Sequence, residues 1–391
     1  TDNFNFSQDA MSQLTIGIKQ RFPRGDSLAI KAQQLRIESQ AYPLLRAARR
    51  AQVKVTVGNL WLDIFKVQQS IALIEKNHTL FAQLIDIVQA SYVSALGSTR
   101  QYDIVRAQLE LTRLEERLDK LSQQKSHFTG QLLPWLTDFS QAASNQYRFS
   151  PDWQLTSIMP ELTLRHAALL YADTWLLPEQ LVNYFAHHPE VMVFDKKIAA
   201  SETGIRLAKQ AYKPEWGINA GYAYRDKDNN GNSRSDLFSI GVSFDLPLFG
   251  RQRQDQQLRS VVSHTQAIKI DKLLLLKQFV AAYVSAKGRL QRLTDRKKLY
   301  RSSLLPQTQA QAEASLTAYT NDNGDFSEVV RARIAMLTAE LDQLELMVEE
   351  QKIILGLNYL FSGSENQSLM SNKVLVEHQP IALLTQEHNN E

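Results

Sequence analysis

The sequence predicts a mainly α-helical protein in which short β-strands lead into very long helical hairpins, and this unit occurs twice. The duplication is visible as matching residues about 224 positions apart. The matched pairs are Gly17 with Gly241, Pro23 with Pro247, Ala90 with Ala314 and, after one inserted residue, Arg106 with Arg331. Matches in one register over so long a stretch indicate a duplicated supersecondary unit.

Each copy contains long stretches that lack helix-breaking residues. In the first copy we expect helices at about 26–96, interrupted at Pro43, and at about 101–133. In the second we expect helices at about 252–319, interrupted at Pro306, and at about 326–361. A helix of roughly 65 residues is about 100 Å long, so it needs lateral partners.

Apolar residues at alternating spacings of three and four supply those partners as coiled-coil seams. The first-copy seam contains Ile104, Ala107, Leu111, Leu114, Leu118 and Leu121. The second-copy seam contains Val330, Ile334, Leu337, Leu341, Leu344 and Val348. A coiled-coil scaffold with a solvated outer face is the simplest interpretation of the helices alone.

Three segments alternate between apolar and small or polar residues, which is the pattern of β-strands with unlike faces. They lie at about 13–22, 216–224 and 238–246. Each segment is about 9 to 11 residues long, which is typical of a transmembrane strand. A soluble sheet that covers a core gives the same alternation. We favour the membrane, because coiled-coil helices leave little core to cover a sheet. The aromatic residues suit membrane-surface girdles: Trp216, Tyr222, Tyr224, Phe238 and Phe244.

Three strands cannot close a transmembrane barrel, which needs about eight, and lipid does not tolerate open sheet edges. We therefore expect several chains to share one barrel. The first strand has no hairpin partner in the sequence, so we expect one ahead of residue 1 and treat 1–133 as an N-terminally incomplete first repeat. An irregular linker at 134–178, the second repeat at 179–361 and a tail at 362–391 complete the predicted organisation.

Composition excludes several classes of protein. A net charge of +3 with interleaved acidic and basic residues argues against nucleic-acid binding. The absence of cysteine excludes disulfides and thiolate metal sites. No catalytic constellation stands out, so we expect neither an enzyme nor a cofactor. His187 and His188 are adjacent, so they diverge around a helix and do not converge on a metal; we interpret them as helix-start residues.

The order of elements resembles the TolC family of outer-membrane efflux channels, over about residues 11–361. The helix that opens with His188-Pro189-Glu190 and the strand-to-helix junction from Leu246 to Arg251 carry the resemblance. The junction is most similar to the heavy-metal-efflux branch, of the CzcC and CusC types. The first copy departs from the family pattern, because no helix or strand precedes its strand.

The resemblance implies a homotrimer with a twelve-stranded barrel in the outer membrane of a Gram-negative bacterium and a helical tunnel in the periplasm. It implies a periplasmic adaptor and an inner-membrane pump of the RND type as partners, with metal ions or drugs as substrates. Energy would come from the pump, so the protein would be a passive exit duct in contact with outer-membrane lipid. A periplasmic coiled-coil adaptor or a scaffold protein is the alternative.

Three groups of residues are candidate sites. Asp103 and Arg106 match Glu328 and Arg331 in the repeat, and the resemblance places these pairs at a periplasmic aperture, where carboxylate rings favour cations. The helix dipole favours acidic side chains near a helix N-terminus, which is an equally simple explanation of the two acids. The resemblance also implies that the hairpin tips contact the adaptor: Gly97, Ser98, Thr99, Asn323, Gly324 and Asp325. Lys19, Arg21 and Asp245 are expected to face a barrel lumen.

Overall fold

The computed structural model describes residues 11–93, 101–136, 158–167, 170, 175–227, 230–245, 251–321 and 323–363. The elements, in chain order, are β1 (Leu14–Phe22), α1 (Ser27–Ser39), α2 (Ala41–Val93), α3 (Gln101–Leu136), α4 (Pro178–Phe185), α5 (Pro189–Gln210), β2 (Glu215–Tyr224), β3 (Leu237–Asp245), α6 (Arg251–Leu299), a π-helical turn (Tyr300–Leu304), α7 (Leu305–Thr320) and α8 (Phe326–Leu360).

The predicted fold class of long helical hairpins with a few strands is confirmed. The series β1, α1–α2 and α3 of the first half has the same order as β3, α6–α7 and α8 of the second. Within the described segments, no helix combines the length and the apolar character that a membrane crossing requires.

Both long helices are interrupted four residues before a proline. A proline inside a helix clashes with the carbonyl four positions earlier and removes one backbone donor. For Pro43 that position is Ser39, the last residue of α1, so the break lies at Gln40 and not at Pro43 as predicted. For Pro306 the position is Ser302, which lies in the π-helical turn. A π turn changes the hydrogen-bond spacing and accommodates the missing donor.

The chain folds as two compact units, which are described separately. The sheet unit comprises residues up to 46 together with 189–276. Its three strands form one antiparallel sheet in the order β1-β2-β3. β1 therefore pairs along one edge with β2 of the second repeat.

Polar contacts join the helices of the sheet unit. Ser201 of α5 and Thr265 of α6 share a buried hydrogen bond of 2.7 Å between their hydroxyls. Lys272 of α6 forms an ion pair of 2.5 Å with Asp195 of α5. Arg206 of α5 donates a 2.8 Å hydrogen bond to the side chain of a glutamine on α1. α5 is thus held to a helix from each repeat.

The bundle unit comprises residues 47–188 and 277 onwards. One core of this unit is formed by apolar side chains from four helices, α2, α3, α7 and α8. Both predicted seams contribute to the core or flank it: Ile104, Ala107, Leu111, Leu114, Leu118 and Leu121 from α3, and Val330, Ile334, Leu337 and Leu341 from α8. The seams therefore join the two repeats within one chain.

A short part of the predicted linker lies along α8. The backbone N–H of Leu162 donates to the Gln351 side chain at 2.8 Å, and that of Arg165 donates to Asn358 at 2.8 Å. Asn358 in turn donates to the carbonyl of Thr163 at 2.9 Å. Side-chain amides of α8 therefore satisfy the backbone of this extended segment.

Candidate channel wall and hairpin tip

The three strands pair in a register that gives the whole sheet one apolar and one polar face. Ile18 lies opposite Ala220, which lies opposite Ile240, and Phe22, Trp216 and Phe244 form a second such row. Because side chains alternate along a strand, the intervening rows lie on the other face. The sequence predicts the face of each residue; the structure adds that the three apolar faces coincide.

No layer of the described chain covers the apolar face. Ile18 is 78% exposed, Ile240 is 69% exposed and Phe238 is 70% exposed. A contiguous apolar surface of this kind marks a site of contact with lipid or another protein, because water does not favour its exposure.

Aromatic residues border the apolar face at both ends. The rings of Trp216 and Phe244 are 4.4 Å apart at one end, and Tyr222 pairs with Phe238 near the other. Trp216 and Tyr222 are six residues apart, about 20 Å along an extended strand. The apolar band of an outer-membrane barrel is about 25 Å tall and lies between aromatic girdles. The spacing of the aromatic residues fits such a band.

The polar face consists mostly of glycine and small polar residues. Lys19 pairs with Asn219, which pairs with Gly241, and Arg21 pairs with Gly217. A Cβ atom on Gly241 would lie 2.8 Å from the Asn219 side-chain oxygen, so the Asn219 side chain occupies the space above the glycine. Lys19 and Arg21 are both exposed and extend above this flat surface.

Arg24 connects the sheet to the helices at the end of this face, and sequence analysis did not identify its role. Its Nε atom is 3.4 Å from Glu215 at the start of β2, and its Nη2 atom forms an ion pair with Asp245 at the end of β3. It also donates a 3.0 Å hydrogen bond to the carbonyl of Ala211, just after α5. Asp245, a predicted lumen residue, is therefore paired within its own chain.

The far end of the sheet carries a second carboxylate with local partners. Asp236, just before β3, accepts hydrogen bonds from the Tyr222 hydroxyl and, at 3.0 Å, from the Arg225 backbone N–H. These donors favour the charged form and hold the pKa of the Asp236 carboxyl below its usual range. The β2–β3 hairpin therefore keeps a negative charge at the end of the sheet that carries Tyr222.

The second-repeat hairpin tip lies in the bundle unit and is compact. Asp325 caps α8 by accepting a 2.9 Å hydrogen bond from the Ser327 backbone N–H. The Asn323 N–H donates to the Ala318 carbonyl at 2.9 Å. A Cβ atom on Gly324 would lie 2.8 Å from the backbone nitrogen of Tyr319, so only glycine fits there without a shift. The matching tip residues Gly97, Ser98 and Thr99 lie outside the described residues.

The four predicted aperture residues have different environments. Glu328 and Arg331 are exposed and form an ion pair of 2.6 Å within α8. Asp103 is only 2% exposed in the first turn of α3, and Arg106 is half-buried. The repeat aligns the acids by position, but only Glu328 presents a solvent-accessible carboxylate in this conformation.

His187 and His188 lie in the turn between α4 and α5, directly before the proline that begins α5. His188 is buried, with its ring 4.7 Å from that of Phe279 and 4.9 Å from that of Tyr359. It packs among aromatic rings, whereas His187 is near the surface. The described segments bring together no group of three metal-ligating His, Asp or Glu side chains.

Replacing Gly324 with alanine is expected to destabilise the bundle unit by about 1–3 kcal/mol, because the new Cβ atom overpacks against backbone that cannot move freely. Thermal unfolding measures the effect. Gly130→Ala is the matched control: no atom lies within 4 Å of its added Cβ, so a gain of about 0.5–1 kcal/mol is expected from helix propensity. Equal effects of the two substitutions would contradict the close approach at the tip.

Comparison with protein-family models and with curated protein sequences gives no match. Solved structures do match. The outer membrane protein VceC from Vibrio cholerae is 15% identical, with 90% of this chain and 79% of VceC covered at a TM-score of 0.71. CusC is 14% identical, with 90% of this chain and 78% of CusC covered at a TM-score of 0.72. The Campylobacter jejuni outer membrane channel CmeC is 12% identical, with 92% and 74% covered at 0.70.

The chain thus has the fold of outer-membrane channel proteins, with a two-faced sheet and long helical hairpins. More particularly, it has the TolC-type fold that the sequence resemblance predicts, and that prediction is confirmed for the fold. Assignment to the heavy-metal-efflux branch stays a prediction, because CusC and VceC match the chain about equally well.

Proposed function

We propose that the protein is an exit duct of the bacterial outer membrane, through which solutes pass passively to the exterior. The observation that carries the proposal is the sheet, whose exposed apolar face suits lipid and whose opposite face, lined by Lys19, Arg21 and small polar residues, suits a water-filled lumen. The fold shared with VceC and CmeC supports the same role.

The strand number supports a barrel shared by several chains, and we propose a homotrimer. The described part of one chain supplies three strands, whereas single-barrel closure needs about eight or more. The outer edges of β1 and β3 have no partner among the described residues and would pair with other strands on closure. The TolC resemblance suggests twelve strands from three chains, with the helical hairpins extending into the periplasm.

The proposed duct is one component of a tripartite system. An inner-membrane RND-type pump would supply the energy, and a periplasmic adaptor would join the pump to the duct. The adaptor would contact the tips: Gly97, Ser98, Thr99, Asn323, Gly324 and Asp325. The fixed geometry of the second tip, capped by Asp325, supports such docking, because a rigid surface loses little entropy on binding. Metal ions and drugs are the two substrate classes that the resemblance suggests.

Conductance tests the proposed function. Protein extracted in detergent from the membranes of its host is expected to be a trimer by native mass spectrometry and to give discrete conductance steps in a planar lipid bilayer. The adaptor or scaffold alternative predicts no conductance. A protein that remains a detergent-free soluble monomer and gives no conductance would overturn the duct.

We also propose that Asp103, Arg106, Glu328 and Arg331 border the periplasmic aperture. Changing both acids, Asp103→Ala with Glu328→Ala, is expected to raise single-channel conductance, because the truncated side chains leave a wider proposed constriction. Glu328→Ala alone is expected to give most of the gain, since Asp103 is buried. Glu179→Ala, an exposed acid of α4, serves as the control. Unchanged conductance of both aperture variants would refute the assignment.

A further inference from the structure

We propose that the polar face of the sheet attracts anions, so that the barrel part of the channel, apart from the acidic aperture, favours negatively charged solutes. The inference rests on the proposed function, since it takes this face to line the lumen. It adds a chemical class of solute, which the fold alone does not provide.

The two cations on this face have no acidic neighbour across the strands. Lys19 pairs with Asn219, which pairs with Gly241 on the third strand. Arg21 pairs with Gly217, which pairs with Ser243. Neither Lys19 nor Arg21 forms an ion pair with any residue that the structure describes. Lys19 therefore has no acidic residue in its own row or in the row next to it, whereas Arg21 lies one row from the acids at the end of the face.

The carboxylates of this face are confined to one end, where Glu215 pairs with Asp245 across the strands. Both are held by Arg24, at 3.4 Å for Glu215 and by a direct ion pair for Asp245. Two carboxylates sharing one guanidinium leave a charge of −1 there, while Lys19 and Arg21 contribute +2. The described part of the face is thus net positive by one charge per chain. Lys19 carries the charge farthest from the acids, whereas the row of Arg21 adjoins the Glu215–Asp245 row.

The geometry of these rows suits an anion. Lys19 and Arg21 are two residues apart on one strand, which separates them by about 7 Å. Beside them lie the Asn219 amide and the Ser243 hydroxyl, which are neutral hydrogen-bond donors. Rings of Lys and Arg side chains form the selective element of anion pores, and low-dielectric walls strengthen their field. Chains sharing a barrel would repeat the two rows around the lumen.

The reversal potential in a planar bilayer under a KCl gradient tests the proposal. Because the aperture acids would favour cations, the measurement is made with the Asp103→Ala and Glu328→Ala substitutions in place, and this channel is expected to pass chloride in preference to potassium. Lys19→Gln with Arg21→Gln is expected to lower the chloride-to-potassium permeability ratio at least about twofold, because the field of the two rows is removed. The swap Lys19→Arg with Arg21→Lys is expected to keep the ratio, and Lys31→Gln, an exposed lysine of α1, serves as the control.

The outcomes distinguish the proposed anion preference from the proposed exit duct on which it rests. A pore without the aperture acids that conducts but prefers potassium, or a ratio that the glutamine variants leave unchanged, would overturn the anion preference and leave the duct intact. A wild-type protein with no conductance would overturn the duct and, with it, the anion preference. A glutamine variant that no longer conducts is replaced by Lys19→Gln alone, for which half of the change in reversal potential is expected.

Discussion

Introducing arginine at Ile18 and Ile240 is expected to abolish assembly in the outer membrane while leaving the helices folded. Both residues belong to the central row of the apolar face and are 78% and 69% exposed, so the chain itself loses almost no burial. An arginine at the bilayer midplane of a barrel costs about 2–4 kcal/mol. The double substitution is repeated in every chain of a shared barrel, which multiplies the cost.

The measurement is the fraction of protein recovered as trimer from the outer-membrane fraction, with circular dichroism to follow helix content. Thr15→Arg with Ser239→Arg is the control, because these residues lie on the same strands but on the polar face. The control is expected to assemble. Normal assembly of the Ile18 and Ile240 variant would show that lipid does not contact this face.

The second large effect is expected for Phe185→Ala in the bundle unit, which should lower the free energy of unfolding by about 3–5 kcal/mol. Phe185 is fully buried at the end of α4. Its ring lies 5.7 Å from that of Phe279 and 6.4 Å from that of Tyr283, both on α6, and 5.8 Å from that of Phe361 after α8. Truncation leaves a cavity between three segments and removes all three ring contacts.

Chemical denaturation, followed by circular dichroism, measures this loss. Tyr42→Ala is the matched control, because Tyr42 is an aromatic residue of a helix but is 70% exposed. Its expected effect is within about 0.5 kcal/mol. A Phe185→Ala variant as stable as the Tyr42→Ala variant would mean that the aromatic cluster does not hold α4 in place.

Sequence periodicity predicts the local part of this fold. The alternation of three and four predicts the α3 and α8 seams, and the alternation of two predicts which side chains share a strand face. These signals depend only on neighbours along the chain. The helix breaks show the limit: a proline marks a break, but the backbone clash lies four residues earlier, so α1 ends at Ser39 and the break lies at Gln40 and not at Pro43.

Long-range contacts could not be predicted from sequence periodicity. The pairing of β1 with β2 joins residues some two hundred positions apart, and no local pattern specifies it. The role of Arg24 depends on that pairing. Glu215 and Asp245 meet across β2 and β3, but Arg24, which follows β1, reaches them only when β1 is in register with β2. The one signal of this role in the sequence is the position of Arg24, which directly follows β1 and Pro23.

The candidate aperture shows a related limit. The repeat correctly aligns the positions of Asp103 and Glu328, but burial depends on the packing of α2, α3, α7 and α8 around each. Asp103 is enclosed and Glu328 is exposed, although both lie in the first turn of their helices. Equivalent positions in a duplicated sequence therefore need not have equivalent environments.

Cysteine accessibility in intact membranes tests the central claim most directly, and the chain is suited to it because it contains no cysteine. Single cysteines are introduced at Thr15, Ile16, Ile18 and Lys19 and treated with a charged, water-soluble thiol reagent. We expect labelling at Thr15 and Lys19, which face the lumen, and protection at Ile16 and Ile18, which face lipid. Equal labelling at all four positions, or protection at all four, would contradict a membrane channel lined by the polar face of this sheet.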